Sequence, residues 1–281
     1  MPKIALIQQS ASPDQAANLK KGLANAKEAI QNGAQIIVFP ELAFTRFFPQ
    51  KRLKGNRMAH AEPIPGPTTN IFSDLAAKHG VVIVLNLFEQ DGSKAFDSSP
   101  VIDADGSLLG TTRMMHITQY ESFFEQDYYD PGDSGAPVYD TKFGRIGVCI
   151  CYDRHYPEYL RSMALNDAQL VVIPQAGAAG EWPAGVFEAE LQAGSFQHGF
   201  FMALSNRVGK EEVLTFAGES IITDPRGQLI AQAPPAVDAI LYADLDFDQV
   251  ETSPARTLFL RHRRPSEYTE LTEPLLEARD A

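Results

Sequence analysis

Apolar residues follow two different spacings at the start of the chain. A short continuous apolar run at residues 3–8 predicts a buried strand, and apolar positions at helical spacing over 16–29 predict an amphipathic helix. A second continuous run, at 35–39, has the composition of a strand buried on both faces and ends at Pro40 and Glu41. The chain therefore opens with a strand, a helix and a strand.

The second half of the chain contains a similar order of segments. A helix is predicted over 158–166 and a buried strand over 169–173. The segment AQIIVFPE at 34–41 thus has a near-echo, AQLVVIPQ, at 168–175. We expect an internally duplicated α/β layout in which both strand ends border one pocket, because such folds bind ligands at the carboxyl ends of their strands. Short apolar strands also look alike without duplication, and this alternative stays open.

The remaining pattern contains no linker-like stretch. It predicts a single domain over residues 1–270 and an exposed or frayed tail over 271–281. Helices mixed with paired and crossover strands indicate an α/β fold with two mixed sheets covered by helices. The other predicted elements are a helix at 70–79, strands at 81–87, 99–103 and 108–114, a hairpin of 138–140 with 145–150, and further segments of the same alternation at 194–203, 220–223 and 239–244.

The net charge and the composition of the chain exclude some classes of binding partner. The chain has 281 residues and a formal net charge of −12, which argues against nucleic acid and anionic membranes as partners. No apolar run approaches the roughly 20 residues that a membrane helix needs. The first residues lead directly into a strand without the layout of a signal peptide, so a cytoplasmic protein is expected. A small anionic substrate held by one or two arginines stays compatible with this charge.

The chain contains two cysteines, Cys149 and Cys151. On one strand their Cα atoms would lie roughly 6.6 Å apart with the side chains pointing the same way, so we expect no disulfide. A strand that ends at Cys151 shortly before a helix exposes the thiol to backbone N–H groups and to the positive end of the helix dipole, which favour thiolate. The N–H of Tyr152 would lie where an oxyanion forms. Cys151 is therefore either an activated nucleophile or a buried structural thiol.

A thiol nucleophile needs a group that accepts its proton. Glu41 lies at the end of an apolar strand, where partial desolvation would raise its pKa and make it a better base near neutral pH. The alternative is a glutamate that begins a solvent-exposed loop. Cys151 and Glu41 together indicate nucleophilic catalysis by a thiol with a carboxylate base.

Five segments in order resemble the nitrilase superfamily, also called carbon–nitrogen hydrolases. They are FPEL at 39–42, YYDPGD at 128–133, ICYDRHYPE at 150–158, SNRVG at 205–209 and FLRHRRPSEY at 259–268. The resemblance implies a four-layer αββα sandwich, a Cys–Glu–Lys triad with a second glutamate nearby, and homo-oligomers built on a dimer. It makes Glu41 the base, Cys151 the nucleophile and Glu125 the second glutamate, although Glu121 lies close to that last position.

The position of the family lysine is occupied differently. The lysine normally precedes His-Ile by two residues, and here this position is Met114, which has no charge and donates no hydrogen bond. Three interpretations stay open: an active variant that holds the oxyanion with another group, an inactive relative that binds a ligand or partner, or a bulge that brings Arg113 to the pocket. The loss of one oxyanion donor costs about 10²–10³ in rate. The intact Cys151 and Glu41 favour the active variant.

The expected activity is hydrolysis of an amide-type carbon–nitrogen bond through a thioester. The substrate would be a small amide or N-carbamoyl compound, with a nitrile as the alternative. Arg154 is similar to an arginine of N-carbamoyl amino acid hydrolases and would bind a substrate carboxylate, or it forms a structural pair with Glu158. No metal or organic cofactor is expected, since six histidines and two cysteines show no zinc spacing. The basic residues 261–264 resemble the family's C-terminal dimer segment, and contact with nucleic acid is not expected at this net charge.

Overall fold

The computed structural model describes residues 1–273. Residues 271–273 of the predicted tail are exposed, and the rest of that prediction, 274–281, lies outside the described residues. No helix in the described part of the chain is long and apolar enough to cross a membrane.

Strands and helices alternate along the chain as the apolar pattern predicts. The strands are β1 Lys3–Gln8, β2 Ile36–Val38, β3 Val82–Val84, β4 Leu87–Asp91, β5 Lys94–Ile102, β6 Leu108–Arg113, β7 Val138–Thr141, β8 Gly144–Val148, β9 Leu170–Gln175, β10 Phe201–Asn206, β11 Val208–Lys210, β12 Thr215–Ala217, β13 Ile221–Thr223, β14 Leu229–Gln232 and β15 Ala239–Asp244. The α-helices are α1 Gln15–Gln31, α2 Pro67–His79, α3 Pro157–Leu165, α4 Val186–His198 and α5 Asp248–Glu251. Short 3-10 helices at Glu125–Asp127 and Cys151–His155 carry candidate site residues.

Two mixed sheets contain most of the strands. The first has the order β15-β1-β2-β3-β5-β4, with β6 paired to β5, and the second has the order β14-β13-β10-β9-β8-β7. In the first sheet β1, β2 and β3 are parallel, and in the second β8, β9 and β10 are parallel. The echo segments therefore form β2 and β9, each the middle strand of a parallel triplet. This placement is the one expected of a duplicated layout.

The core is divided into layers that alternate with the side-chain direction along each strand. In β2, Ile36 and Val38 face the second sheet, whereas Ile37 packs with Phe72 of α2. In β9, Val172 faces the first sheet, whereas Val171 packs against α3 and α4. Two sheets pack face to face with helices on both outer surfaces, which confirms the predicted four-layer αββα sandwich.

Two predicted segments differ from the structure. The segment 194–203 is not one element, because α4 covers Val186–His198 and β10 begins at Phe201. The buried face of α4 includes Gly194, Ser195 and His198, so it lacks the apolar stripe that identifies a helix in a sequence. The predicted strand 81–87 is divided into β3 and β4, with the buried Asn86 between them.

Candidate active site

Cys151 lies at the bend where the β8 segment turns into a 3-10 helix. Its φ angle is +43°, a left-handed conformation that a non-glycine residue adopts only when its surroundings hold it there. This bend corrects the expectation that both cysteine side chains point the same way. Cys149 packs on the side of α3, whereas Cys151 lies in the core between the two sheets. Both thiols are free.

Arg154 lies directly beneath this bend. Its Nη1 donates to the Cys151 carbonyl and to Gln175 Oε1, each at 2.9 Å, and its Nε donates to Glu190 at 3.1 Å. Its guanidinium also stacks over Phe187 at 4.7 Å from the ring centroid. The ion pair is therefore with Glu190 and not with Glu158, the partner that the sequence suggested. Arg154 fixes the nucleophile bend to the end of β9.

The Cys151 thiol is held in its protonated form. Burial raises its pKa well above the ordinary value, and the nearby Glu41 and Glu125 raise it further, whereas Arg154 and the Ala176 N–H lower it. The backbone donors expected to favour thiolate are thus outweighed by burial. A base must remove the proton before the sulfur attacks.

Glu41 follows β2 and faces the thiol from the first sheet. The next residue, Leu42, also has a positive φ, +45°, and its N–H donates to Asn86 Oδ1 at 2.7 Å. The buried Arg207 donates through Nη1 to the carbonyls of Glu41, at 2.9 Å, and of Leu42. A strand end, a strained bend and a buried arginine therefore fix the backbone that carries this carboxyl.

The Glu41 carboxyl is fully buried, and its pKa is raised to about 8. Burial is the largest cause and Glu125 adds to it, whereas the hydrogen-bonding Asp97 and Cys151 and the charge of Arg207 lower the pKa. A carboxyl with this pKa is poised to exchange protons near neutral pH.

Glu125 begins a 3-10 helix and is also fully buried. Its Oε2 accepts a long hydrogen bond of 3.4 Å from the Thr118 N–H, and its Oε1 has no partner within residues 1–273. Burial raises the pKa of Glu125 well above the ordinary value, with a further contribution from Asp97. The structure thus brings Glu41, Cys151 and Glu125 into one buried site.

Met114 is completely buried and packs in the same core cluster as Cys151. Its N–H donates to the Asp97 carbonyl at 2.8 Å, one step beyond the pairing of Ser98 with Arg113 in β5 and β6. Met114 and Asp97 are therefore opposite one another on neighbouring strands, with side chains on the same face.

Arg113 points away from the pocket. It forms ion pairs with Glu89 at 2.6 Å, Asp91 at 2.8 Å and Asp133 at 3.0 Å, and its guanidinium lies over Phe96. The register shift between β5 and β6 is at the other end of the pair, beside Ile102. The idea that a bulge brings Arg113 to the pocket is therefore wrong.

The Tyr129 hydroxyl is a further buried acid group at the site. It has no hydrogen-bond partner in the described part of the chain. Its pKa is raised well above the ordinary value by burial and by Asp97, Glu41, Glu125 and Cys151. This hydroxyl is therefore a neutral donor among carboxyls and the thiol.

Aromatic side chains lie next to Tyr152, which follows the nucleophile. Tyr120 donates to Glu181 Oε1 at 2.5 Å, and its ring lies 6.4 Å from that of Trp182 and 6.5 Å from that of Tyr152. His155 lies 5.4 Å from Trp182 and 4.9 Å from Tyr152. The cluster combines aromatic faces with two carboxyls, Glu181 at Tyr120 and Glu190 at His155.

Sequence reasoning did not find several of these groups. They are Asn86, Asp97, Tyr129, Glu181 and Arg207. Arg207 lies in the SNRVG segment and Tyr129 in the YYDPGD segment, so the resemblance of these segments to the family was a signal for both residues. Asp97 lies within β5 and Asn86 lies between β3 and β4, and the sequence does not determine the register that brings them together. Over residues 1–273 no group of His, Cys, Asp and Glu is arranged to hold a metal ion.

Comparison with known proteins places the chain in a family. The family described as "Carbon-nitrogen hydrolase" matches residues 3–255. The chain is 34% identical over 279 residues to a citrullinase of Francisella tularensis, covering 96% of this chain and 97% of the relative. It is 33% identical over 279 residues to an N-carbamoylputrescine amidase of Solanum lycopersicum, covering 94% of this chain and 93% of the relative.

A solved structure shows the same architecture. The carbon–nitrogen hydrolase from Helicobacter pylori G27 superposes with a TM-score of 0.92 at 26% identity, covering 98% of this chain and 99% of that one. The four-layer fold and its buried site define an enzyme of the nitrilase superfamily. The chain belongs to the carbon–nitrogen hydrolase family, and the resemblance found in the sequence is confirmed.

Proposed function

We propose that this enzyme hydrolyses the carbon–nitrogen bond of a small ureido compound through a thioester on Cys151, with Glu41 as the base. The single observation that carries the proposal is the buried thiol facing a carboxyl whose pKa is about 8. In the first step Glu41 takes the thiol proton while the sulfur bonds to the carbonyl carbon. Glu41 then returns this proton to the nitrogen as the C–N bond breaks and ammonia or an amine leaves, so the acyl group stays on sulfur as a thioester or, when a ureido group loses ammonia, as a thiocarbamate. Glu41 later removes a proton from the attacking water, and this proton passes to the sulfur as the C–S bond breaks and the thiol is restored.

The tetrahedral oxygen needs hydrogen-bond donors, and the position of Met114 supplies none. We assign this task to the Tyr152 N–H, which follows the nucleophile in the bend, and to the neutral Tyr129 hydroxyl. The Tyr129 hydroxyl is buried and free of other partners over residues 1–273, which leaves it available to a bound substrate. Both donors are neutral, so they would stabilise the oxyanion less strongly than an ammonium group would.

Hydrogen-bond complementarity favours a ureido or amide substrate over a nitrile. Glu125 Oε1 has no hydrogen-bond partner within the described residues. An N–H group of an amide or ureido substrate would fill this acceptor, whereas a nitrile has no N–H group. Glu125 would orient the substrate in this way.

The aromatic cluster supports a substrate with a cationic end. Glu181 supplies a carboxyl, and the faces of Trp182 and Tyr120 attract a cation. Arg154 uses Nε and Nη1 to bind Glu190, Gln175 and the Cys151 carbonyl, so we assign it to the bend, and its Nη2 has no partner within residues 1–273. The named activities of the two relatives, on citrulline and N-carbamoylputrescine, fit a ureido group joined to an ammonium group.

The expected homo-oligomer stays a prediction. Leu258, Tyr268 and Leu271 are exposed on the C-terminal segment, and they are the apolar side chains that such an interface would cover.

A substrate panel tests the proposal. Ammonia release would be measured with N-carbamoylputrescine, citrulline, unbranched primary amides and aliphatic nitriles. We expect the ureido compounds to react fastest and the nitriles slowest. Cys151→Ala should abolish turnover, whereas the matched change Cys149→Ala, behind the sheet, should preserve it. Intact mass spectrometry during turnover should show one adduct on Cys151.

Two results would contradict the proposal. Hydrolysis of nitriles without hydrolysis of ureido compounds or amides would make the enzyme a nitrilase. Absence of turnover together with a Cys151 that iodoacetamide does not modify would indicate a relative that only binds a ligand or partner.

A further inference from the structure

Asp97 is a buried carboxyl at the centre of the site for which the mechanism has no role so far. It lies on β5, directly across from Met114 on the adjoining chain segment. The side chain is completely buried. A carboxylate in this position would need a cation, and its cross-strand neighbour is an apolar side chain.

Hydrogen bonds place Asp97 beside the base. Asn86 donates to Asp97 Oδ1 at 2.5 Å and accepts from the Leu42 N–H at 2.7 Å, so one amide ties Asp97 to the bend that carries Glu41. The other oxygen, Asp97 Oδ2, has no N–H donor among residues 1–273. The Asp97 and Glu41 side chains are hydrogen-bonding neighbours. Two carboxyls can share a hydrogen bond only when one of them carries a proton.

The charges around the pair decide which carboxyl keeps that proton. Arg207 is the cation that acts on Glu41. Asp97 faces Glu41 and Asp153, which both disfavour its ionisation, whereas Asn86 is neutral. The remaining acid groups at the site are Glu125, Tyr129 and Cys151. The ionised form of Asp97 is thus less stabilised by its neighbours than the ionised form of Glu41.

We propose that Asp97 is a positioning residue that keeps its proton on Oδ2 and donates it to the Glu41 carboxylate. The neutral hydrogen bond stabilises the ionised base in a site where Met114 supplies no charge. Asp97 itself neither gains nor loses a proton during turnover. This inference rests on the proposed function in assigning Glu41 as the base, and it assigns no contact between Asp97 and substrate.

The test uses the alkylation of Cys151 by iodoacetamide, which needs no knowledge of the substrate. The rate would be followed by mass spectrometry across pH for the wild-type enzyme, Asp97→Asn and Asp97→Ala, with Asp133→Asn as the matched exposed control. Asn at position 97 can still accept from Asn86 and donate to Glu41, so the pH midpoint should not move. Ala removes the donor, so the midpoint should move about one unit to higher pH, with about tenfold slower alkylation at neutral pH.

An ionised Asp97 would give the opposite sign. Removal of a negative neighbour would lower the pKa of Glu41, so both variants would shift the midpoint to lower pH, and that result would overturn the proposal. Infrared difference spectra of wild type against Asp97→Asn give a second measurement that does not depend on reactivity. Loss of one protonated-carboxyl C=O band supports the proposal, and loss of a carboxylate band instead contradicts it.

Failure of the two proposals can be told apart. If alkylation follows the expected pattern but no ureido compound or amide is hydrolysed, the substrate assignment is wrong and the role of Asp97 stands. If ureido compounds are hydrolysed but both Asp97 variants shift to lower pH, the role of Asp97 is wrong and the substrate assignment stands.

Discussion

Cys151 and Glu41 meet as two acids that both hold protons. Burial raises the pKa of each, and position 114 holds a methionine, which has no charge to favour the ionised forms. Met114 lies in the same core cluster as Cys151, at the position where the family resemblance implies that lysine. Proton transfer between these groups therefore depends on pH more strongly than it would in a site with a balancing ammonium group.

We expect kcat/KM to rise with pH through an apparent pKa near 8. Glu41 accepts the thiol proton only in its ionised form, and this form appears as the pH passes its pKa of about 8. The measurement is the initial rate on the best substrate of the panel from weakly acidic to weakly alkaline pH. A profile that is flat across this range would show that Glu41 is already ionised at neutral pH.

The pH dependence of kcat/KM in Met114→Lys should differ from that of the wild-type enzyme. An ammonium group opposite Asp97 favours nearby carboxylates, so the midpoint should move to lower pH. Met114→Leu keeps an apolar side chain of similar volume and should leave the midpoint unchanged. Equal midpoints for Lys and Leu would mean that position 114 does not act on the base.

The sequence predicts the nucleophile and the base but not the group between them. Cys151 and Glu41 follow continuous apolar runs, and strand ends of this kind are visible in a sequence. Asp97 becomes relevant only through the register of β5 with β6 and the Asn86 bridge. The apolar pattern places a strand at 99–103, which begins two residues after Asp97, so this pairing was not accessible.

Among the elements, β1, β2, β8 and β9 were identified well because they are continuous apolar runs, whereas β10 was merged with the end of α4. Helix α4 was not identified, because a helix with Gly194, Ser195 and His198 on its buried face has no apolar stripe. The loop after β2 was also unspecified, since its conformation depends on Arg207, which is distant in sequence and directly follows β10 of the second sheet. Arg207 donates to the carbonyls of Glu41, Leu42 and Thr45 and pairs with the buried Glu211.

Loss of Arg207 should release this loop and destabilise the fold. Arg207→Met removes all these donors and leaves Glu211 as an unpaired buried charge, so the free energy of unfolding should fall by about 3–5 kcal/mol. Urea denaturation measures this change, and Glu211→Gln in the same chain should restore part of the loss. The exposed pair of Arg264 with Glu267 gives the control, because Arg264→Met should cost about 0–1 kcal/mol. Similar losses for both arginines would contradict the role of Arg207 in holding the loop.

At the scale of the whole molecule, the buried Glu41 carboxyl makes the free energy of unfolding decrease as the pH rises. Folding raises the pKa of Glu41 from 4.5 to about 8, so between these values the folded chain binds more protons than the unfolded chain. Stability contributed by the neutral form is present at low pH and is lost as the pH approaches the folded pKa.

The melting temperature should therefore fall between about pH 5 and pH 8, with a contribution from Glu41 of up to about 1.4 kcal/mol per pH unit. Glu41→Gln is neutral at every pH and should flatten this dependence while stabilising the protein at the alkaline end. Differential scanning calorimetry at several pH values measures both effects. The exposed Glu28→Gln should leave the slope as it is in the wild type, and an unchanged slope in Glu41→Gln would show that Glu41 ionises freely in the folded state.

The two reacting groups come from different sheets: Glu41 follows β2 and Cys151 follows β8. In a chain whose sheets have not yet docked, Cys151 is an ordinary cysteine that titrates at its usual pH. The pKa of the Cys151 thiol is raised only when the two sheets pack on one another. During refolding, the time at which Cys151 becomes protected from alkylation therefore reports the packing of the two sheets. Cys151 is in this way a chemical probe of sheet docking that the native sequence already contains.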